Sequence, residues 1–427
     1  MSKKLFNESK KNYLFSIIEY GWYPFLLFLS TRYFVEYLGS YKYGVWIFVT
    51  TIVASTSILN VGLSGSVVKV VSTELGRGVR RELIENIANN ASGIALASGV
   101  VTNLAIIIFA IIVWPDFAMD RVHLYATLAT IMILVFLEYA DIAFSSILKG
   151  GEYFRITTKI EVLFKTIQIV FALSVVVAWA DLLSLYVVLV AVGIARVYTK
   201  LKQLKKVYGI RRIRPSFDNV SRLMIFAKWG WLLGLGGFML GTIDRILVGS
   251  VIGPEALAYY SLLLMIPQQI HALTGAVLSV TFPRISHLHS SNRIGELKTL
   301  HYQISRVTII GVGIPAALLV IFQDTIFSLW LGRDLPQDVM VAFTPLVLAY
   351  YLLSVVVPFH YMLLGLGQIR YVSIVNVIAG ISSIIVLSTW LTESGLFIAA
   401  VAKIIYASIL LIQLYEVNRI ILRSRAA

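Results

Sequence analysis

Long apolar runs recur along the whole chain and constrain its fold more than any other feature. A helix needs about 20 apolar residues to cross the hydrocarbon core of a bilayer. Only 14% of the residues are charged and 58% are hydrophobic, whereas soluble proteins carry about 25% charged residues. The sequence therefore predicts an all-α polytopic membrane protein and excludes a soluble enzyme. The predicted transmembrane helices, twelve in all, lie at residues 14–38, 44–68, 86–113, 122–147, 157–179, 182–197, 226–250, 256–281, 303–323, 341–364, 371–391 and 396–418.

Lysine and arginine are distributed unevenly between alternate loops. If the N-terminus is cytoplasmic, 29 of the 36 basic residues lie in or beside cytoplasmic segments, and the outer loops hold only Lys42, Arg121 and Arg333. This asymmetry follows the positive-inside rule and predicts that both termini are cytoplasmic. It also explains most of the net charge of +14, so we expect no nucleic-acid partner.

The two halves of the chain begin alike. TRYFVEYLGSYKYGVW at 31–46 and DRILVGSVIGPEALAYY at 244–260 each carry an arginine, then a glycine at a turn (Gly39 or Gly253), then an aromatic residue. Such a parallel repeat predicts two six-helix bundles related by a pseudo-two-fold axis along the membrane normal. The predicted domains are the N-terminal bundle 1–197, a basic cytoplasmic linker 198–225 and the C-terminal bundle 226–427.

Four cations lie inside predicted transmembrane helices: Arg32, Lys165, Arg245 and Lys403. A charge at the centre of such a helix costs about 2.5–3.5 kcal/mol on insertion scales and usually faces the protein interior. All four lie at mid-depth or toward the outer half, so we expect them to bind an anionic substrate if they converge. The alternative for two of them is a structural i,i+4 ion pair, Arg32 with Glu36 and Lys165 with Glu161.

Intramembrane acids are the candidates for ion coupling or gating. We select Glu36, Asp141 and Asp244. Asp141 lies toward the inner half with Glu138, where the acids are either proton or cation sites or partners of cytoplasmic-side lysines and arginines. The sequence contains no cysteine, no Walker motif, no zinc-protease motif and no catalytic triad pattern. We therefore expect no enzymatic activity, no metal and no cofactor.

The segments RYFVEYLGSYKYGVW and ILNVGLSGSVVKVVSTELGRG resemble the N-terminal signature of Wzx-type polysaccharide flippases. These belong to the polysaccharide transporter family of the multidrug/oligosaccharidyl-lipid/polysaccharide (MOP) exporter superfamily. The segment from DRILVG to ALAYYSLLL resembles the start of their second half.

The resemblance implies a central cavity, alternating access and movement of an undecaprenyl-pyrophosphate-linked oligosaccharide, such as an O-antigen unit, between leaflets of the bacterial inner membrane. It further implies that cavity cations engage the head group and that a proton or sodium gradient drives transport. Polysaccharide polymerase and chain-length proteins are the implied protein partners, and membrane lipids surround the chain.

Two other functions stay open at this point. The first is a cation-coupled multidrug antiporter of the same superfamily, for which we expect a cavity rich in acids, whereas the deep charges here are mainly basic. The second is a polysaccharide polymerase or other membrane glycosyltransferase, which the short outer loops disfavour. Lipid II flippases of this superfamily usually have fourteen transmembrane helices, and the twelve predicted here argue against that member.

Overall fold

The computed structural model describes residues 2–76, 81–113, 120–210, 212–218, 232, 234–279 and 281–423. Within these ranges, the side chains of 2–20, 57–63, 76, 81–82, 113, 283 and 421–423 lie outside the description. All regular secondary structure in the described residues is helical, which confirms the all-α fold. Nine helices in this part of the chain are long and apolar enough to cross a membrane, so the count of twelve stays a prediction.

The chain divides into two compact units, Met1–Gly234 and Leu235–Ala427. The first contains helices α1 Ser2–Ser55, α2 Ser57–Gly76, α3 Arg81–Val113, α4 Arg121–Gly150, α5 Phe154–Trp179 and α6 Leu182–Tyr208. Since α6 continues to Tyr208, the beginning of the predicted linker 198–225 is helical, and its end, from 219, lies outside the described residues. The predicted pseudo-two-fold relation stays a prediction.

The first helix of the second unit is α7, Gly234–Ile252, whose first residue is the last of the first unit. The helices that follow are α8 Pro254–Ser279, α9 Thr281–Ser290, α10 Ile294–Ile321, α11 Gln323–Leu331, α12 Gln337–Met340, α13 Phe343–Gly365, α14 Ile369–Leu410 and α15 Ile412–Arg423.

Glycines with positive φ interrupt the longest helical stretches. Helix α1 contains Gly39 at φ 75°, ψ 165°, and α14 contains Gly395 at φ 54°, ψ −139°. Gly253, between α7 and α8, has φ 117°, ψ 171°. Gly39 and Gly253 therefore both occupy a backbone region that is accessible almost only to glycine. The two glycines that the repeat predicts at turns do form turns of the same kind.

One helix is central to each unit. In the first unit α4 packs against α2, α3 and α6, and in the second α13 packs against α8, α10 and α14. These two helices are the most buried of the nine membrane-crossing candidates in the described residues. Large apolar side chains on the peripheral helices, such as Ile112, Val187 and Ile321, are instead exposed, as expected where a helix faces lipid.

Acidic N-caps fix the first turns of two helices. The Asp120 carboxylate accepts a hydrogen bond from the backbone N–H of His123 at 3.1 Å and caps α4. The Asp181 carboxylate accepts from the backbone N–H of Ser184 at 2.9 Å and caps α6. Each cap satisfies a backbone donor that the helix itself leaves unpaired. At its other end α6 is terminated by Gly209, which has φ 66°.

Candidate functional site

Ionisable side chains from three helices of the first unit form one group, which we call the α4–α6 charge cluster. Each helix supplies two members at helical spacing, so that both point to the same side. The cluster comprises Glu138 and Asp141 on α4, Glu161 and Lys165 on α5, and Arg196 and Lys200 on α6.

Lys200 is the most buried member of the cluster, with 0% of its surface exposed. Its Nζ lies 2.6 Å from Oδ2 of Asp141 and also donates to Glu161. A third donor hydrogen of the ammonium reaches Oγ of Ser145 at 2.8 Å. The ammonium group therefore has a partner for each of its three donors.

Arg196 and Lys165 complete the neutralisation of the three acids. Arg196 forms an ion pair with Glu138, and its Nε lies 3.3 Å from Oδ1 of Asp141. Lys165 lies 3.6 Å from Glu161 and stacks over the ring of Tyr23, 5.5 Å from its centroid. Three acids thus face three cations, so the charges of the cluster are paired inside the protein, as intramembrane charges usually are.

A second charged group lies in the second unit, on α7, α8 and α14. Nζ of Lys403 is 2.8 Å from Oδ2 of Asp244. The hydroxyl of Tyr260 donates to the same carboxylate oxygen at 2.7 Å, and Lys403 donates to the carbonyl of Leu240 at 2.5 Å. Lys403 is 1% exposed and Asp244 5%, so this is a fully buried ion pair.

Arg245, adjacent to Asp244 in sequence, has a different environment. Its Nη2 donates to Oε1 of Gln268 at 2.6 Å, and its side chain is only partly buried. The Nε is buried and finds no hydrogen-bond acceptor among the described residues. No ion pair among the described residues includes Arg245. This guanidinium therefore carries a charge, and donors, that the described side chains do not neutralise.

The helix that carries Asp244 and Arg245 has unusual geometry. Met239–Ile243 and Val248–Ile252 are π-helical and flank the α-helical turn Asp244–Leu247. Short π segments inside helices are rare and are found frequently at functional sites. In α7 they surround the turn on which Asp244 is buried while Arg245 remains partly accessible.

Arg32 and Glu36 lie on the exposed side of α1. No ion pair joins them within the described residues, so the structural pair considered from the sequence is not formed there. The structure thus brings together Asp244 with Lys403, and it links Lys165 to Asp141 only indirectly, through Glu161 and Lys200. Convergence of all four predicted cations on one cavity stays a prediction.

Several residues of these groups were not among the candidates drawn from the sequence. The sequence places Arg196 and Lys200 among the cytoplasmic-side charges, and Gln268 and Tyr260 are polar residues that carry no distinctive motif. A signal existed for the cluster, because Arg196 and Lys200 are four residues apart, as are Glu161 and Lys165. Glu138 and Asp141 are three residues apart, so each of the three pairs lies on one face of its helix, although the spacing does not show which pairs meet.

Comparisons with known proteins agree with this architecture. The family described as polysaccharide biosynthesis protein matches residues 9–289. The membrane protein EpsK of Bacillus subtilis is 22% identical over 72% of this chain and 62% of its own length. A protein of Haloferax volcanii, described as a probable low-salt glycan biosynthesis flippase, is 24% identical with the same coverage. The chain thus spans less than two thirds of these relatives.

Solved structures show the same fold at low identity. An inward-facing multidrug resistance MATE transporter of the MOP superfamily aligns with a TM-score of 0.74 at 13% identity, over 96% of this chain and 99% of its own. The lipid II flippase MurJ in an inward closed conformation also gives 0.74 at 13% identity, over 97% and 91%. The family match covers more than half of the chain, and the fold agrees with it. As the sequence resemblance predicts, the chain belongs to the polysaccharide biosynthesis protein family and has the multi-pass fold of the MOP superfamily.

Proposed function

We propose that this protein is a flippase for an undecaprenyl-pyrophosphate-linked oligosaccharide, such as an O-antigen unit. It would move this lipid from the cytoplasmic to the outer leaflet of a bacterial inner membrane by alternating access, with both termini cytoplasmic. The family, the description of the Haloferax relative and the sequence resemblance support this proposal. The role is transport rather than catalysis, and polymerase and chain-length proteins would act on the delivered glycan.

The observation that carries the proposal is that Arg245 has no acidic partner among the described residues and donates to the neutral Gln268. A pyrophosphate group loses hydration when it enters a membrane protein, and a fixed cation offsets that cost more strongly at low effective dielectric. Arginine presents a planar fork of donors that matches phosphate oxygens, whereas lysine acts as a point charge. In the second unit Lys403 is already neutralised by Asp244, and Arg245 has only the neutral Gln268 as its described partner.

The buried acids argue against the multidrug antiporter. A carrier of organic cations needs carboxylates whose charge is available to the drug. Here Asp141, Glu161 and Asp244 each contact a lysine, so their charges are compensated inside the protein. This distribution of charge favours an anionic substrate that binds Arg245 over a cationic one.

Coupling to an ion gradient is part of the proposal, and Asp244 is our first candidate for it. Oδ1 of Asp244 is buried without a hydrogen-bond partner in the described residues, while Oδ2 holds Lys403 and Tyr260. If an anionic head group attracts Lys403, the carboxylate becomes free to take a proton or Na⁺. Glu36 and Asp141 are the alternative coupling residues. Asp244→Asn should then abolish the dependence of transport on the gradient, and intact gradient-driven transport would exclude Asp244.

The cellular test is depletion of this protein in its native host. We expect the lipid-linked glycan to accumulate in the cytoplasmic leaflet and surface glycan to fall. Arg245→Ala should fail to restore surface glycan at normal membrane abundance, whereas the outer-loop control Arg333→Ala should restore it. Unchanged glycan levels after depletion would contradict the proposed function.

A further inference from the structure

The short segment Arg212–Asp218, which follows α6 in the first unit, is held against α3. We call it the α3 strap. The backbone N–H of Arg214 donates to the side-chain oxygen of Asn89 at 2.7 Å, and the N–H of Ser216 donates to the Asn89 carbonyl at 3.1 Å. A Cβ on Gly93 would lie 2.2 Å from the carbonyl oxygen of Ser216, so glycine permits this close approach.

The strap lies at a definite depth along α3. Gly93 is twenty residues before the end of α3 at Val113, which corresponds to about 30 Å of helix. That length equals the thickness of a bilayer hydrocarbon core, roughly 30 Å. With the outer end of α3 at the outer boundary, the strap lies at the inner boundary, where lipid head groups begin.

The exposed side chains of the strap suit that boundary. Arg212 and Arg214 are exposed, and Phe217 has 58% of its surface exposed. Asp218 is the single acid of the strap, and its carboxylate accepts from the hydroxyl of Ser216 at 2.7 Å. Basic side chains beside an exposed aromatic ring are typical of segments that bind a membrane interface.

Two further exposed cations lie shortly before the strap in the chain. Lys202 and Lys206, on the last turns of α6, are exposed. The cytoplasmic leaflet carries a negative potential that attracts basic residues near its surface, at about 1 kcal/mol for each. The charge of this surface is therefore complementary to anionic phospholipid and not to an apolar or cationic partner.

We propose that the α3 strap is a binding surface for anionic phospholipid head groups of the cytoplasmic leaflet, with Phe217 inserted at the acyl boundary. The proposal rests on the proposed orientation of the chain and not on the identity of the transported substrate. Its partner is bulk anionic lipid. The contacts with Asn89 and Gly93 hold the strap in place before lipid binds.

Spin labelling tests the depth of the strap directly, because these 427 residues include no cysteine. Phe217→Cys, labelled with a nitroxide in vesicles that contain phosphatidylglycerol, should collide more with oxygen than with a water-soluble nickel complex. The control Ser291→Cys, at an exposed turn between α9 and α10, should show the reverse. Equal nickel accessibility at the two positions would overturn the proposal.

Lipid selectivity tests the partner. Spin-labelled phosphatidylglycerol should be preferred over phosphatidylcholine, and the Arg212→Gln/Arg214→Gln double variant should reduce that preference about fivefold or more. The control Arg284→Gln/Arg370→Gln removes two exposed arginines of the second unit, outside the strap, and should reduce the preference less. The proposal fails if both double variants reduce the preference for phosphatidylglycerol equally. It also fails if the protein prefers only a prenyl pyrophosphate and no anionic phospholipid. Neither result would bear on whether the protein flips its substrate.

Discussion

Two neighbouring residues on α7 differ in how far the protein compensates their charge. Asp244 is buried and paired with Lys403, whereas Arg245 has a neutral amide as its described partner. Removing one member of a buried ion pair costs about 3–5 kcal/mol, because the other charge is left uncompensated. Removing a charge that the protein does not neutralise carries no such penalty. The two cations should therefore respond differently to mutation.

The first prediction concerns Lys403. Lys403→Ala should lower the midpoint of thermal unfolding in detergent and reduce membrane abundance, since it strands the Asp244 carboxylate. The double variant Lys403→Ala/Asp244→Ala should recover most of the lost stability, because it removes both charges. If the double variant is no more stable than Lys403→Ala, the pair is not what holds these helices together.

The second prediction applies the same reasoning to the α4–α6 charge cluster. Lys200→Met should destabilise the first unit by about 3–5 kcal/mol, since Asp141 and Glu161 lose their shared cation. Lys202→Met is the matched control, because Lys202 is exposed two residues away and should change stability by less than about 0.5 kcal/mol. Thermal unfolding followed by size-exclusion chromatography measures both. Equal stability of the two variants would contradict a structural role of the cluster.

At the scale of single residues, the sequence predicts which charged residues are costly to place in a membrane, but it does not predict which residues pair with them. Arg32, Lys165, Arg245 and Lys403 stand out because charge is rare in apolar runs. Whether such a charge is neutralised depends on neighbouring helices, as with Lys403 and Asp244, which are far apart in the chain. Sequence spacing reveals pairs on one helix, and of these four cations only Lys165 forms such a pair in the described residues, with Glu161.

At the scale of the helix, glycine turns and acidic caps decide where each element ends. The turns at Gly39 and Gly253 are predictable, because each glycine follows an arginine at a similar spacing in its half of the chain. The π segments of α7 are not predictable from sequence, since no local residue pattern distinguishes them from α-helix. In the structure these segments pack against α8 and α14, which the local sequence does not show.

The third prediction tests the glycine turns. Gly39→Ala and Gly253→Ala should each destabilise the protein by about 1–3 kcal/mol, because φ values of 75° and 117° strain any residue with a Cβ. Gly311→Ala is the control, because Gly311 is helical and its Cβ would meet nothing within 4 Å among the described residues. That change should be neutral or stabilising. Thermal midpoints compare the three, and a loss at Gly311 equal to that at the turns would disprove the explanation.

The fourth prediction concerns the N-cap of α6 and its pH dependence. Partial burial raises the pKa of Asp181, but hydrogen bonds from the Ser184 backbone and hydroxyl outweigh it, so the net pKa is lowered. A lowered folded-state pKa means that the cap stabilises the protein above the unfolded pKa and loses this contribution as pH falls through the folded pKa.

Asp181→Ala should therefore cost about 1 kcal/mol at neutral pH, and the difference from wild type should shrink in acid. Asp181→Asn is the control, because asparagine caps helices equally well and does not titrate. Its stability relative to Asp181→Ala should stay constant with pH. Thermal midpoints measured across the acidic range supply the comparison, and a wild-type advantage over Asp181→Ala that persists in strong acid would be inconsistent with this cap.

At the scale of the whole molecule, apolar runs and loop charge determine most of what can be predicted. The all-α membrane fold is confirmed, because twenty-residue apolar segments have few alternatives to a helix in lipid. The division of the chain is less predictable, since α6 extends beyond the apolar run that ends near residue 197 and includes basic residues up to Lys206. Apolar content indicates which residues lie in the membrane, but it does not indicate where the helix ends.

The fifth prediction is the topology. Reporter fusions after Gly209 should read cytoplasmic, and fusions near Asp120 or Pro336 should read external, because 29 of the 36 basic residues lie on one side. A fusion after the last helix should also read cytoplasmic. An external signal at Gly209 would contradict the proposed orientation and with it the location of the α3 strap.

The most direct test of the central claim is transport by the purified protein in proteoliposomes. Wild-type protein should move an undecaprenyl-pyrophosphate-linked oligosaccharide across the bilayer and should not move a cationic dye. Arg245→Lys should retain part of this transport, Arg245→Ala less, and Arg245→Glu least, with all three equally abundant and folded. Transport of the cationic dye instead of the lipid, or full lipid transport by Arg245→Glu, would contradict the account.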